Sequence, residues 1–226
     1  MDNITLWILF MIVDLSMVLI AYRFFGKNGL YAMIVMSIIV ANIQVLKTVN
    51  MFGLVVTLGN VIYGSIFFST DLLSEFHGRK AATTGVWIGF FAMILTTVYL
   101  QIALLFTPDV SDFAHPLLEG LFSFLPRIAI GSLIAYAISQ MHDVWSFHFW
   151  KRFTKGKHLW LRNNASTLIS QFIDSVVFST IAFLGVFPLD VFWQILLTTY
   201  LFKLIVAVVD TPFMYYAKYV VGKKDD

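Results

Sequence analysis

Apolar residues along this chain run in long blocks separated by short polar breaks, without the strict alternation of a half-buried strand. About 20 mostly apolar residues carry an α-helix across the hydrocarbon core of a bilayer. Seven blocks predict seven such helices: Ile4–Phe25, Leu30–Leu46, Leu58–Phe76, Ala82–Phe106, Leu121–Trp150, Thr167–Leu184 and Val191–Val220. The second is short and interrupted by Asn42, Gln44 and Lys47. The fifth and seventh exceed a bilayer's thickness and predict tilt or projection into the cytoplasm. Met1-Asp2-Asn3 provides no basic n-region and no small-residue cleavage site follows, so the first block reads as a span. The expected architecture is all-α, a polytopic membrane bundle forming one transmembrane domain over residues 1–226. Pro126 falls in a first turn, where proline costs no helical hydrogen bond, whereas Pro212 lies inside the last block and predicts a kink or break. Gly53 and Gly59 suit either a tightly turned, re-entrant segment or an ordinary short loop.

Composition agrees with this reading. Hydrophobic residues make up 59% and charged residues 12%, against roughly 45–50% and 25% in soluble domains; mean hydropathy is +0.84. The 23 Phe and 6 Trp fit a lipid-facing surface with aromatic girdles. With no cysteine, disulfides, thiolate metal sites and cysteine nucleophiles are excluded. The net charge of +2 marks topology rather than nucleic-acid binding, because the cations fall in alternate loops. Arg23 and Lys27 follow block one, and Arg79 and Lys80 follow block three. Lys151, Arg152, Lys155, Lys157 and Arg162 follow block five, and Lys218, Lys223 and Lys224 end the chain. The intervening loops hold Asp109, Asp112, Glu119 and Asp190, with Lys47 their lone cation. The positive-inside rule then places the N-terminus outside and the C-terminus in the cytoplasm.

Polar side chains within the blocks are costly in lipid and must face partners or an aqueous cavity. They recur at helical spacing: Asn60, Gly64, Phe67, Asp71 and Glu75 in block three; Ser132, Tyr136, Ser139, Gln140 and Asp143 in block five, with Arg127 nearer the outside. Block six is the most polar, with Asn164, Thr167, Gln171, Asp174 and Ser175; block seven adds Thr199, Lys203 and Asp210. Four such faces predict a shared inner cavity. Five carboxylates (Asp71, Glu75, Asp143, Asp174, Asp210) outnumber two cations (Arg127, Lys203), which favours a ligand rich in N–H donors or positively charged. Asp174 and Lys203 both lie mid-span and would neutralise each other as a pair. Asp71 and Glu75 lie close to Arg79 and Lys80, and Asp143 to Lys151 and Arg152, so ion pairing competes with ligand contact there. Asp14 stands alone and reads as a local structural group. Amides of Asn42, Gln140 and Gln171 offer both donors and acceptors, and Phe67, Tyr136 or Phe178 could stack on a flat ring.

Enzyme motifs are absent: no phosphate-binding Gly-rich loop, no His-Glu-x-x-His and no Gly-x-Ser-x-Gly. The five histidines are dispersed, so no metal site and no cofactor are expected.

The run Ser69-Thr70-Asp71-Leu72-Leu73-Ser74-Glu75-Phe76-His77-Gly78-Arg79, then Arg127-Ile128-Ala129 through Ser139-Gln140 to Asp143, then Asn164-Ala165-Ser166-Thr167 through Gln171 to Asp174, and finally Phe202-Lys203, occur here in order. Together they resemble the queuosine precursor transporter family, once grouped as vitamin uptake transporters, over about residues 38–215. The resemblance implies a six-helix core preceded here by an extra N-terminal helix, residence in the plasma membrane, and import of deazaguanines such as 7-cyano-7-deazaguanine and its aminomethyl relative. It implies a substrate site drawn from Asn42, Asp71, Glu75, Arg127, Gln140, Asp143, Ser166, Thr167, Gln171, Asp174 and Lys203. A guanine-like edge presents two N–H donors that Asp174 would accept, with Gln171 or Asn42 for the neighbouring atoms, and Asp143 or Glu75 for a cationic arm.

The leading expectation is a secondary carrier or facilitator, in which protonation of a buried carboxylate could couple substrate to protons. The alternative is a substrate-binding membrane subunit that depends on a separate ATPase module docked on the basic loop Lys151–Arg162. A membrane enzyme would need a paired-carboxylate metal motif, for which only Asp71 and Glu75 offer themselves. A homodimer fits a carrier of this size.

Overall fold

A computed structural model describes residues 2–222, with side chains as far as Tyr219; the predicted C-terminal cations Lys223 and Lys224 lie outside the described residues. The elements in chain order are α1 (Asn3–Gln44), β1 (Thr48–Met51), β2 (Leu54–Thr57), α2 (Asn60–Phe76), α3 (Gly78–Leu104), α4 (His115–Phe122), α5 (Leu125–Phe153), α6 (Leu159–Phe183) and α7 (Leu189–Gly222). Five described stretches are long and apolar enough to cross a membrane: α1, α3, the stretch His115–Phe153 containing α4 and α5, α6, and α7 to Tyr219.

The first predicted block and all of the second but Val45 and Leu46 lie inside α1. A straight helix of 42 residues would run roughly 63 Å, twice a bilayer core. The backbone leaves the helical region at Gly26 (φ 57°, ψ −139°), which glycine adopts without a Cβ clash. The chain then doubles back. A Cβ on Gly29 would lie 2.1 Å from the Ala21 carbonyl oxygen, and Asn3, Trp7 and Gln44 line one pocket although they come from opposite ends of α1. α1 is thus a helical hairpin in two antiparallel halves.

α2 has only 17 residues, about 25 Å of helix, and occupies the centre of the bundle. Every residue from Asn60 to Ser74 is buried, against α1, α3, α5 and α7. α5 packs along α6, and α6 along α7. Asp14 is buried in the first half of α1 and accepts a 2.5 Å hydrogen bond from Ser65, tying the hairpin to α2.

The expectation of helices alone needs correction between α1 and α2. Residues 48–57 form an antiparallel hairpin pairing Thr48 with Thr57 and Met51 with Leu54. Its turn is Phe52-Gly53, both with positive φ (56° and 76°), as a two-residue hairpin loop of matching twist requires. Val and Thr fill the strands, and one edge is satisfied by α7: Val55 N–H donates to Gln194 Oε1 (3.2 Å) and Thr198 donates to the Val55 carbonyl (3.2 Å). Asn3 donates to the Asn50 carbonyl (3.0 Å), so the hairpin lies over the end of the bundle opposite the basic loops.

Pro126 stands in the first turn of α5. The helix is unbroken at Pro212, running from Leu189 to Gly222. Asn163 and Asn164 of α6 hold the residues just before that proline, donating to Asp210 and Thr211 at 2.8 Å each. α6 begins at Leu159, well before the predicted Thr167, and takes the whole polar run 162–167 into the bundle. Arg162 is therefore a fully buried helical residue, not a loop cation.

Candidate functional site

α6 presents buried polar groups along its length, and its neighbours meet them at three depths. In the layer nearest the β-hairpin, the outer layer, Asp174 is wholly enclosed. Lys203 of α7 forms an ion pair with its Oδ2, while Tyr63 of α2 and Ser139 of α5 each donate to Oδ1 at 3.0 Å. The pair expected between Asp174 and Lys203 is formed, and four helices converge on one carboxylate. The Lys203 ammonium lies 4.2 Å from the centroid of the Tyr63 ring and 5.9 Å from that of Phe178. Adjoining it is a cavity of about 20 Å³ lined by Asn42, Asn60, Tyr63, Ser132, Phe178 and Lys203, room for about one water molecule. Ser132 donates to Asn42, whose own amide donates to the Ile38 carbonyl at 2.7 Å. Asn60 donates to the Thr57 carbonyl at the end of β2, so the β-hairpin roofs this layer.

The middle layer lies about 10 Å further along α6, seven residues at 1.5 Å each. Asp71 of α2, Asp143 of α5 and Asp210 of α7 are all fully buried there. Thr167 donates to Asp71 Oδ2 (3.3 Å) and Asn163 to Asp210 Oδ1 (2.8 Å). Gln140 donates to Thr70, linking α5 to α2. Ser166 turns back to the Asn163 carbonyl at 3.0 Å. Gln171 is buried with neither amide atom bonded to any described residue.

At the basic end Glu75 gathers three cations from three helices: Lys151 of α5 (3.1 Å), Arg162 of α6 (2.5 Å) and Lys218 of α7 (3.3 Å). Arg162 also donates to the Gly156 carbonyl (2.9 Å). Glu75 thus pairs with none of the cations nearest it in sequence, and Lys151 goes to Glu75 rather than to Asp143.

Of the predicted site residues, Asn42, Asp174 and Lys203 meet in the outer layer, and Asp71, Asp143, Gln140, Ser166 and Thr167 in the middle one. Glu75 is apart from both, at the basic end of the bundle. Arg127 does not reach the interior: its guanidinium caps the end of α6, donating to the carbonyls of Ile181 (2.9 Å) and Leu184 (2.6 Å). Tyr63 was not among the expected residues, although it shares the α2 face of Asn60, Phe67 and Asp71; its aromatic ring reads as core and only its hydroxyl betrays it. Among the described residues no group of His, Asp and Glu is arranged to hold a metal ion.

The family described as "Putative vitamin uptake transporter" matches residues 57–217. The chain is 45% identical over 219 residues to the "Probable queuosine precursor transporter" of Bacillus subtilis (strain 168), covering 96% of each. It is 28% identical over 172 residues to the "Queuosine precursor transporter" of Escherichia coli (strain K12), covering 75% of each. It is also 28% identical over 175 residues to the "Probable queuosine precursor transporter" of Haemophilus influenzae, covering 76% of this chain and 72% of that one. No solved structure matches significantly. These relatives are named as transporters and not as enzymes.

Proposed function

Because this chain belongs to the queuosine precursor transporter family, we propose that it imports queuosine precursors across the cell membrane as a secondary carrier, with Asp174 as the centre of the substrate site. The substrate class is a deazaguanine base, 7-cyano-7-deazaguanine or its aminomethyl relative. The observation that carries this reading is the position of Lys203: its ammonium neutralises Asp174 while lying against the rings of Tyr63 and Phe178. A flat heterocycle with two adjacent N–H donors replaces that ammonium on both counts. Its edge donates to Asp174 and its face takes the place beside the rings. Asn42 and Gln171 supply donors and acceptors for the remaining edge, and a site that bonds such an edge rejects bases lacking it.

The cavity of about 20 Å³ is far smaller than a bicyclic base, so the structure is an occluded form and entry requires helices to part. The β-hairpin covers the outer side, and the Glu75 cluster closes the basic end. Alternating release of these two closures gives alternating access. The topology that serves it is seven crossings, with α1 counted as two and the short α2 included, the N-terminus outside and the basic loops in the cytoplasm.

The test is uptake of labelled 7-aminomethyl-7-deazaguanine into proteoliposomes containing this chain alone, without ATP. Accumulation supports the carrier. Tight binding without uptake replaces it with a binding subunit that needs a separate ATPase, and no binding of any deazaguanine refutes the substrate class.

A further inference from the structure

The middle layer contains more acceptors than hydrogens. Asp71 Oδ1, both oxygens of Asp143, Asp210 Oδ2 and Asn163 Oδ1 are buried and accept no hydrogen bond from any described residue. The hydroxyls of Ser166, Thr167 and Ser170 surround Asp143, and each has one hydrogen to share with a second acceptor. Ser166 donates to the Asn163 carbonyl (3.0 Å), Ser170 to the Ser166 carbonyl (2.9 Å) and Thr167 to Asp71 (3.3 Å). No described Lys or Arg makes an ion pair with any of the three carboxyl groups.

The charged neighbours on either side are already committed. Towards the basic end, Arg162, Lys151 and Lys218 are held by Glu75. Towards the outer end, Lys203 is held by Asp174. On α5 itself, His142 Nδ1 meets Ser170 at 2.8 Å, which puts an imidazole one hydroxyl away from Asp143. Asp14 of α1 is turned to Ser65, and Arg79 of α3 lies among the basic groups around His148.

The Asp71 and Asp143 side chains are within hydrogen-bonding reach of each other. Two ionised carboxylates are acceptors only, so a bond between them requires a proton on one. Each proton added converts one orphaned acceptor into a donor and satisfies a second.

We infer that Asp71 and Asp143, with Asp210 beside them, bind the coupling ion of this transporter, and that this ion is a proton carried inward with the substrate at a site separate from Asp174. This rests on the carrier reading above. When the layer opens outward, a carboxylate takes H⁺ from water and shares it with its partner. When it opens to the cytoplasm, water solvates the freed carboxylate and the proton leaves. COO⁻ becomes COOH and returns, and no other bond changes. A layer without a paired cation binds one charge cheaply when closed and releases it only when wetted, which is what coupling to a gradient demands.

Two measurements test this, and the first needs no substrate. Infrared spectra of the protein in nanodiscs at neutral pH should show a carboxylic C=O band that disappears in both Asp71→Asn and Asp143→Asn but persists in Asp174→Asn. A band untouched by both substitutions overturns the inference even if the chain transports nothing. The second uses proteoliposomes with a clamped membrane potential and a pH dye inside. Acid outside should speed wild-type uptake of labelled 7-aminomethyl-7-deazaguanine several-fold, and adding the base should acidify the lumen. Whatever uptake Asp143→Asn retains should show no response to the gradient. Wild-type uptake indifferent to pH, with no lumenal acidification, overturns proton coupling and leaves the carrier standing; absence of uptake defeats the carrier, and the infrared result then decides the proton site alone.

Discussion

Asp174→Asn is the perturbation with the most to say, because the structure predicts two losses with separate origins. The first is stability. Asp174 and Lys203 are both enclosed, and removing one partner of a buried pair costs about 3–5 kcal/mol because the other charge is stranded. For a chain of this size each kcal/mol moves the melting temperature by roughly 2–4 °C, so the single variant should melt about 6–20 °C lower. The second is substrate recognition, which on the proposed function needs the carboxylate whether or not the pair is intact. Adding Lys203→Met removes the stranded ammonium, the origin of that cost, while keeping its packing volume. Fluorescence-monitored melting in detergent should therefore show the double variant recovering most of the loss, while uptake of labelled base stays absent. A stable double variant that still transports would refute Asp174 as the substrate's partner. A double variant as unstable as the single one would refute the pair as the origin of the cost.

Three further outcomes follow from other parts of the bundle. Glu75→Gln strips one charge from a four-residue cluster and strands the buried Arg162; a cysteine introduced at Ser166 should then react several-fold faster with a reagent supplied from the cytoplasmic side, and an unchanged rate would show that the cluster is not a closure. Gly64→Val places a Cβ 2.5 Å from Val206 Cγ1, and such overpacking costs about 1–3 kcal/mol, so α2 and α7 should separate beside Lys203 and transport should fall while the protein still assembles; wild-type uptake would place the close approach outside the working parts. Since the chain has no cysteine, single cysteines at Lys27, Lys157 and Asp109 report topology directly: the first two should label only from the cytoplasm and the third only from outside, and labelling of Lys27 from outside would rule out the α1 hairpin as two crossings.

Much of this was legible because lipid imposes simple rules. Long apolar blocks gave the helices, and the 3.6-residue period put Asp71 and Glu75, or Thr167, Gln171 and Asp174, on shared faces. The Asp174–Lys203 pair followed from two opposite charges at mid-span. Partner choice at the basic end was not legible, since Glu75 pairs with Arg162 at a separation of 87 residues, and nothing local distinguishes that cation from its loop neighbours. The start of α6 was placed too late for the same reason: Arg162, Asn163 and Asn164 read as a solvated break until buried partners are supplied. The β-hairpin was hidden by its length, two strands of four residues inside what hydropathy marks only as a connection. Tyr63 was missed because an aromatic ring on an apolar helix says nothing of where its hydroxyl points.

The three layers differ in what it takes to open them, and that difference would order the proposed transport cycle. Glu75 is held redundantly. Lys151 and Lys218 are partly exposed, with side chains 31% and 48% accessible, so losing either one costs only about 0–1 kcal/mol while Arg162 keeps the carboxylate paired. Losing Lys151 or Lys218 therefore leaves α2 and α6 still joined through Glu75 and Arg162. Asp174 has no such reserve. Separating it from Lys203 strands two buried charges, and only a ligand that itself neutralises or hydrogen-bonds the carboxylate removes that cost. On the proposed carrier reading, the empty chain is predicted to open first at the Glu75 cluster and to stay shut at Asp174 until a base binds. The same reading puts the middle layer between them in the proposed cycle, because a carboxylate freed of its proton there would be tolerated only once water had come through the Glu75 cluster.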